Sequence, residues 1–392
     1  MRTLAVGLLL VVPLSAGAQI GEHISYQMDK QTMEGLDAIY EMDFDRAEVQ
    51  ARRVVEMAPK HPLGHFALGC VAFVRYVYDT EQTDQSLIAG FEAAMNTSIK
   101  VAEAWAKKHP DDSYGLMFLS SSYGIWSRLA IARKEWIKGY LYGRKAVKIM
   151  ERAIAADPEN YDAKLGVAMY DYYTDVYPHF IGVLAKIVLR GNRQRGIDGM
   201  KIVAEKGHFS KMAARLLLVE IYTMDPFGHK NPPEAVRLTT GIRKIYPKSP
   251  MLHAAHLVSL YEDKKYDEVL KGVAQYQAAV KKGVYRPIDA AKGHVIEGTT
   301  LWAMGSPDKA LETFRRGSSV RLGSQLSRWS VWALIRAGQV ADLLSKHELA
   351  RKLFRSAAEE PDYWGLYRHS KPYVKKPFKG DGLPGSVHAA DN

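Results

Sequence analysis

Residues 44–69 read FDRAEVQARRVVEMAPKHPLGHFALG, and the fold is decided in this stretch. Ala47, Ala51 and Val54 follow Phe44 at helical spacing, so they form one narrow, close-packing face. Pro59 comes next; it cannot continue a helix and biases its predecessor to extended geometry. Ten residues beyond Pro59 stands Gly69, preceded by Leu68, in a further apolar helix. A small-faced helix, a proline stop and a second helix with a small residue at a set offset make one unit. Such a unit cannot bury its apolar face alone and needs neighbours of the same kind.

The neighbours are present. Ser120 lies ten residues beyond Pro110, with Tyr123 three further on, and Ala168 lies ten beyond Pro158. Gly35 is the corresponding small residue of the helix before Phe44. The second-helix face returns as Ser98, Ala102 and Trp105 before Pro110, then as Ala146, Met150 and Ala153 before Pro158. Gly196, Met200 and Val203 repeat it, as do Ala235, Thr239 and Ile242 before Pro247. Val269 with Val273, Ala310 with Phe314, and Ala350 with Phe354, Ala357 and Pro361 complete eight candidate units. The first three steps between equivalent positions span 48 to 51 residues and the later ones 34 to 41. The N-terminal half therefore carries longer helices or extra segments, with residues 113–133 and 138–156 both reading as long helices.

The small-residue and proline pattern resembles the tetratricopeptide repeat superfamily over roughly residues 30–362, whose usual period is about 34 residues. The tryptophan often found early in the first helix of such repeats is absent here. The long N-terminal helices, with Gly191-Asn-Arg-Gln-Arg-Gly196 before a helix, look somewhat like the larger-repeat branch that includes the inclusion-body-clearance proteins. The superfamily resemblance implies an all-α, right-handed solenoid of stacked antiparallel helix pairs. It also implies that the inner face, lined by the first helix of each pair, binds peptides or protein surfaces.

The N-terminus reads as an export signal. Arg2 is the positive n-region, Leu4 to Leu14 the short apolar stretch, and Ala16-Gly17-Ala18 the small-x-small cleavage site. The expected division is a signal peptide at 1–18, a helical repeat domain at 19–364 and a basic, Pro/Gly-rich tail at 365–392, extended or disordered. Eleven apolar residues are too few to span a hydrocarbon core, which takes about 20 in a helix; the alternative is an uncleaved anchor. Cys70 is the one cysteine, which excludes a disulfide framework, a cysteine zinc site and a c-type haem motif. The net charge of +11 points, behind an export signal, to anionic envelope surfaces or acidic proteins, not nucleic acid. Segment 178–189, PHFIGVLAKIVL, is strongly apolar; it reads as an extra helix packed on the solenoid, with a membrane-surface helix or a groove ligand held in cis as the alternatives.

Signs of catalysis are few. The sequence has no Gly-x-x-x-x-Gly-Lys, no Gly-x-Ser-x-Gly elbow and no His-Glu-x-x-His. His61 with His65, and His253 with His256, lie at helical spacing without a suitable third ligand, so no metal or cofactor is assigned. Cys70 reads as a buried thiol, and Asp171, Asp175 and Glu135 show no acid–base pairing. Aromatic density is more suggestive: Phe66, Phe73, Tyr76 and Tyr78 around Arg75; Tyr114, Phe118, Tyr123 and Trp126 beside Arg128; then Tyr170, Tyr172, Tyr173 and Tyr177. Tyr, Trp and Arg are the types enriched at binding hot spots, so Arg75, Tyr76, Tyr123, Trp126, Arg128, Tyr170 and Tyr173 are the candidate binding residues. The leading expectation is an exported, non-enzymatic adaptor whose N-terminal-half groove grips a protein or peptide of the cell envelope. The alternatives are a protein attached to anionic lipid or cell-wall polymer, and a glycan-acting enzyme on a helical scaffold.

Overall fold

The computed structural model describes residues 21–80, 84–133, 135–176, 191–380 and 382–388. The export-signal reading, Tyr177 and segment 178–189 lie outside them. Eight antiparallel helix pairs follow one another. They are α1 (Tyr26–Glu41) with α2 (Phe44–Met57), α3 (Pro62–Val74) with α4 (Ser86–Lys108), and α5 (Ser113–Ala132) with α6 (Trp136–Ala156). Next come α7 (Lys164–Val176) with α8 (Arg193–Lys206), α9 (Lys211–Met224) with α10 (Pro232–Ile245), and α11 (Pro250–Glu262) with α12 (Tyr266–Lys281). The last are α13 (Asp289–Ala303) with α14 (Pro307–Gly317), and α15 (Arg328–Leu343) with α16 (His347–Glu359). Each helix packs on the next, giving an all-α solenoid in which α4, α5 and α6 are the long members. A two-residue hairpin, Arg321–Leu322 with Gln325–Leu326, sits between α14 and α15.

The repeat positions read from sequence fall where two backbones come closest. Ala47, Ser98, Ala146, Gly196, Ala235, Val269, Ala310 and Ala350 occupy eight different second helices and all are buried. Their partners Gly35, Gly69, Ser120 and Ala168 lie on first helices, also buried. A Cβ at Gly69 would meet the Met95 methyl at 2.4 Å, and one at Gly196 would meet Ala168 O at 2.6 Å and Tyr172 N at 2.7 Å. Pro59, Pro110, Pro158 and Pro247 each stand exposed just past a second helix. In the last two pairs the same contact is made by Gly298 against Phe314 and Gly338 against Phe354.

Four pairs also share one turn. Met42, Lys264, Gly305 and Ser345 each have a φ of 58–75°. Each closes its first helix with reverse bonds, as in Met42 N→Ile39 O and Asp43 N→Ala38 O, or Ser345 N→Asp342 O and Lys346 N→Ala341 O. This is the helix C-terminal motif that satisfies the last carbonyls and reverses the chain in the fewest residues. It recurs in the first pair and the last three, which keeps those units short.

The solenoid coils far enough to touch itself. Tyr246, at the end of α10, donates its hydroxyl to Asp37 Oδ1 at 2.6 Å, and its ring lies 5.6 Å from Tyr40 on α1. His208 bonds Asp29 at 2.7 Å, and Arg286 donates to Asp79 and to Tyr78 O at the π-helical end of α3. The first two pairs therefore rest against the fifth to seventh.

The tail corrects an expectation. Among the described residues it is at first neither extended nor disordered, forming a 3₁₀ turn (Tyr363–His369) and a short helix α17 (Lys371–Lys375), and then crosses the last three pairs as extended chain. It lacks apolar periodicity, but its few apolar side chains find ready partners: Tyr373 packs on Phe354 and Phe378 on Tyr373, each at 5.3 Å.

Two glycines test the close-contact account. Gly196→Ala overpacks the α7–α8 crossing and should lower stability by about 1–3 kcal/mol. Gly241, exposed on α10 with nothing within 4 Å of an added Cβ, should gain about 0.5–1 kcal/mol on Gly241→Ala. Urea unfolding midpoints of the two variants measure both.

Candidate functional site

Three of the five aromatic residues chosen from sequence are core. Tyr76, Tyr123 and Trp126 are at most 5% exposed. Trp126 lies 5.7 Å from Phe91 and 5.8 Å from Tyr142, with Lys138 Nζ 4.3 Å above its ring. Tyr76, Phe91, Met95, Trp126 and Leu129 form one cluster. The cause is helix length: the extra turns of α4, α5 and α6 need a core of their own. Tyr123 donates to Glu103 Oε1 at 2.7 Å while Lys145 donates to both, a bridge that lowers the Glu103 carboxyl. Arg75 is held by Asp45 and Glu48 at 2.8 and 3.4 Å.

Some of the chosen residues do converge. Arg128 is exposed on α5, and the charges of Arg128, Glu220 of α9 and Arg328 of α15 act on the phenol of Tyr78, which is itself 42% exposed. Tyr173 reaches the same Glu220 at 3.4 Å. Tyr170 lies half-buried on α7, its phenol raised by burial. The motif Gly191–Gly196 works as a clamp between α7 and α8. Asn192 caps α8, Arg193 pairs with Asp175 at 2.7 Å, and Arg195 grips Asp171 with two nitrogens at 2.5 Å each. A Cβ on Gly191 would strike Thr174 Oγ1 at 2.2 Å.

The remaining chemical candidates have structural employment. His61 caps α3 by accepting from Leu63 N, and burial lowers it to about 4; His65 bonds Pro59 O. His253 lies between Tyr276 and Tyr285 and is lowered to about 3 by burial, while His256 bonds Thr239. Burial pushes the Cys70 thiol up to about 12, so it stays protonated at neutral pH. Glu135 pairs with Arg133 and Lys138.

A different constellation holds the strongest geometry. Four donors from α11, α13 and α15 each take a main-chain carbonyl of the segment 382–387. Trp302 Nε1 donates to Gly382 O at 2.8 Å, Arg336 Nη2 to Pro384 O at 2.7 Å, Tyr261 hydroxyl to Gly385 O at 2.6 Å and Trp332 Nε1 to Val387 O at 2.9 Å. Val387 is fully buried, Pro384 is buried, and the His388 ring meets Trp329 at 5.3 Å. Arg336 is 4% exposed, 4.7 Å from the Trp302 ring and 5.4 Å from Trp332. It also donates to Gln339 Oε1 at 3.1 Å, and burial lowers its guanidinium to about 10. First helices of three successive units thus grip extended main chain.

The groove has a signature in the sequence of α15. Trp329, Trp332 and Arg336 share a face of RWSVWALIRAGQVADL, and residues Trp329 to Asp342 of that helix are all buried. A helix of this kind is covered on both sides. One side meets its neighbours, and the tail covers the other.

The eight pairs define an all-α solenoid of stacked antiparallel helix pairs. No family model matches the chain, and no curated protein matches it either. Among solved structures it is similar to a tetratricopeptide repeat protein from Parabacteroides merdae ATCC 43184, at 14% identity over 78% of this chain and 99% of that one, with a TM-score of 0.34. The TPR domain of P58(IPK) is similar at 12% identity over 89% and 97%, TM-score 0.26. Yeast Tom70 is similar at 12% over 88% and 89%, TM-score 0.24. The fold assignment rests on the chain's own helix pairs.

Because Trp126 is core, Trp126→Ala should destabilise the fold by about 3–5 kcal/mol. Chemical denaturation measures this; an unchanged midpoint would return Trp126 to the surface.

Proposed function

We propose that the chain is an exported scaffold that holds a protein partner by gripping an extended segment of it on the concave face of α11, α13 and α15. The observation that carries this reading is the set of four donors on successive first helices, each meeting a main-chain carbonyl of the chain's own residues 382–387. Side chains that read backbone hold a peptide in place largely whatever its sequence, while the buried positions, occupied here by Pro384 and Val387, add selectivity. Large aromatics with an arginine are the side chains that concentrate binding energy at interfaces. Asp171, Asp175 and Glu135, the acids considered for an enzyme, are each engaged by arginine or lysine. The export reading rests on the N-terminal sequence and places the partner in the envelope.

One observation favours a second role. Lys371, Lys375, Lys376 and Lys379 are all exposed on the tail before the groove, and four lysines so close together suit an anionic surface.

Affinity capture from an envelope extract, at low and high salt, tests the scaffold reading. The wild-type chain should retain one protein through high salt. Trp302→Phe with Trp332→Phe, which removes two donors and leaves a smaller aromatic ring at each position, should weaken that retention about tenfold or more. Salt-sensitive lipid or cell-wall polymer as the sole retained material would contradict it and favour the second role. The intact mass of bait purified from the envelope should correspond to a chain starting at Gln19.

A further inference from the structure

We infer that residues 382–388 are a removable occupant of the α11–α13–α15 groove, which takes an extended peptide from another polypeptide with the pattern Pro-Gly-x-Val in exchange. The inference rests on the scaffold reading and names what competes for its site.

Three features of the segment mark it as an occupant, with Val387 reaching into the hydrophobic core. Its contacts are chiefly main-chain carbonyls, at Gly382, Pro384, Gly385 and Val387, and any peptide on the same path offers these. Its buried side chains are two small ones three residues apart, Pro384 and Val387, while Leu383 just before them is 65% exposed. Gly382 and Gly385 adopt φ of 83° and 64°, backbone that glycine takes readily and other residues resist. The pattern is therefore specific in its glycines and its two anchors.

The end cap of the solenoid is built from other residues. Tyr373 covers Phe354 of α16, Phe378 packs on Tyr373, and the Phe378 N–H bonds Asp342 Oδ2 at 2.7 Å. Gly380 and Gly382 follow this anchor, so the occupant can leave while the last pair stays covered. An emptied groove would present two indole N–H groups, a phenol and the Arg336 guanidinium without their acceptors. Buried donors without partners are unfavourable, so the site favours exchange of one peptide for another over standing open.

A synthetic peptide of residues 379–392 probes the exchange on the full chain. A fluorophore on Leu383→Cys, in a Cys70→Ala background, reports the tail. Saturating peptide should lower its anisotropy to that of a free tail. In a second measurement, the Val387→Asp chain, whose own occupant is released, should bind labelled peptide at least tenfold more tightly than wild type. Unchanged anisotropy at saturation, or a Val387→Asp chain that keeps its helical circular dichroism yet binds no peptide, would overturn the inference. Loss of that helical signal on Val387→Asp would do so as well, by making the segment part of the core. A partner still captured by a chain that fails this competition would leave the scaffold reading standing and remove only the tail's role.

Discussion

Close approach of paired helix backbones is the constraint on which the molecule depends. Each pair brings one small residue of its second helix against a small residue or open face of the first, and no second Cβ fits at the tightest crossings. At Gly196 the obstructing atoms are backbone, Ala168 O and Tyr172 N, so relief would require separating α7 from α8. At Gly298 and Gly338 a phenylalanine ring fills the room that a side chain would take. Because every pair is set this way, successive first helices line one continuous inner surface. That surface can hold something longer than any one unit.

The tight reversal at Met42, Lys264, Gly305 and Ser345 fixes how those first helices are spaced. Only Gly305 carries the residue type that normally marks such a turn. The other three hold left-handed backbone because the paired reverse hydrogen bonds and the flanking helices impose it. Among the described residues this turn is absent from the second to fifth pairs, and three helices there, α4, α5 and α6, run to 20–23 residues. The surplus length is filled by the Tyr76, Phe91, Met95, Trp126 and Leu129 cluster.

That difference explains what the sequence disclosed. The eight second-helix positions were legible because smallness at a crossing is a local requirement stamped at helical spacing and followed by proline. The site was less so. Tyr76, Tyr123 and Trp126 look like anchors by residue type, and only the lengths of α4 to α6 reveal that they serve packing. Trp302, Trp332 and Arg336 look like core in sequence, yet they point donors at the tail. Composition alone also misplaced the tail, since Tyr373, Phe378 and Val387 are too sparse to form a pattern and act by landing on aromatic surfaces made elsewhere.

The groove and the tail together turn a repeat fold into a device with a defined grip. Arg336 is the sharpest sign: a guanidinium sandwiched by two tryptophans, without a carboxylate in ion-pair range among the described residues, committed to a neutral carbonyl of the tail. The most direct test of that grip is an interspin distance distribution by double electron–electron resonance. Labels belong on Leu383→Cys and on Met304→Cys at the exposed end of α13, in a Cys70→Ala chain. A single narrow distribution in solution is the expected result. A broad distribution typical of a free tail would contradict the claim that the concave face holds extended main chain.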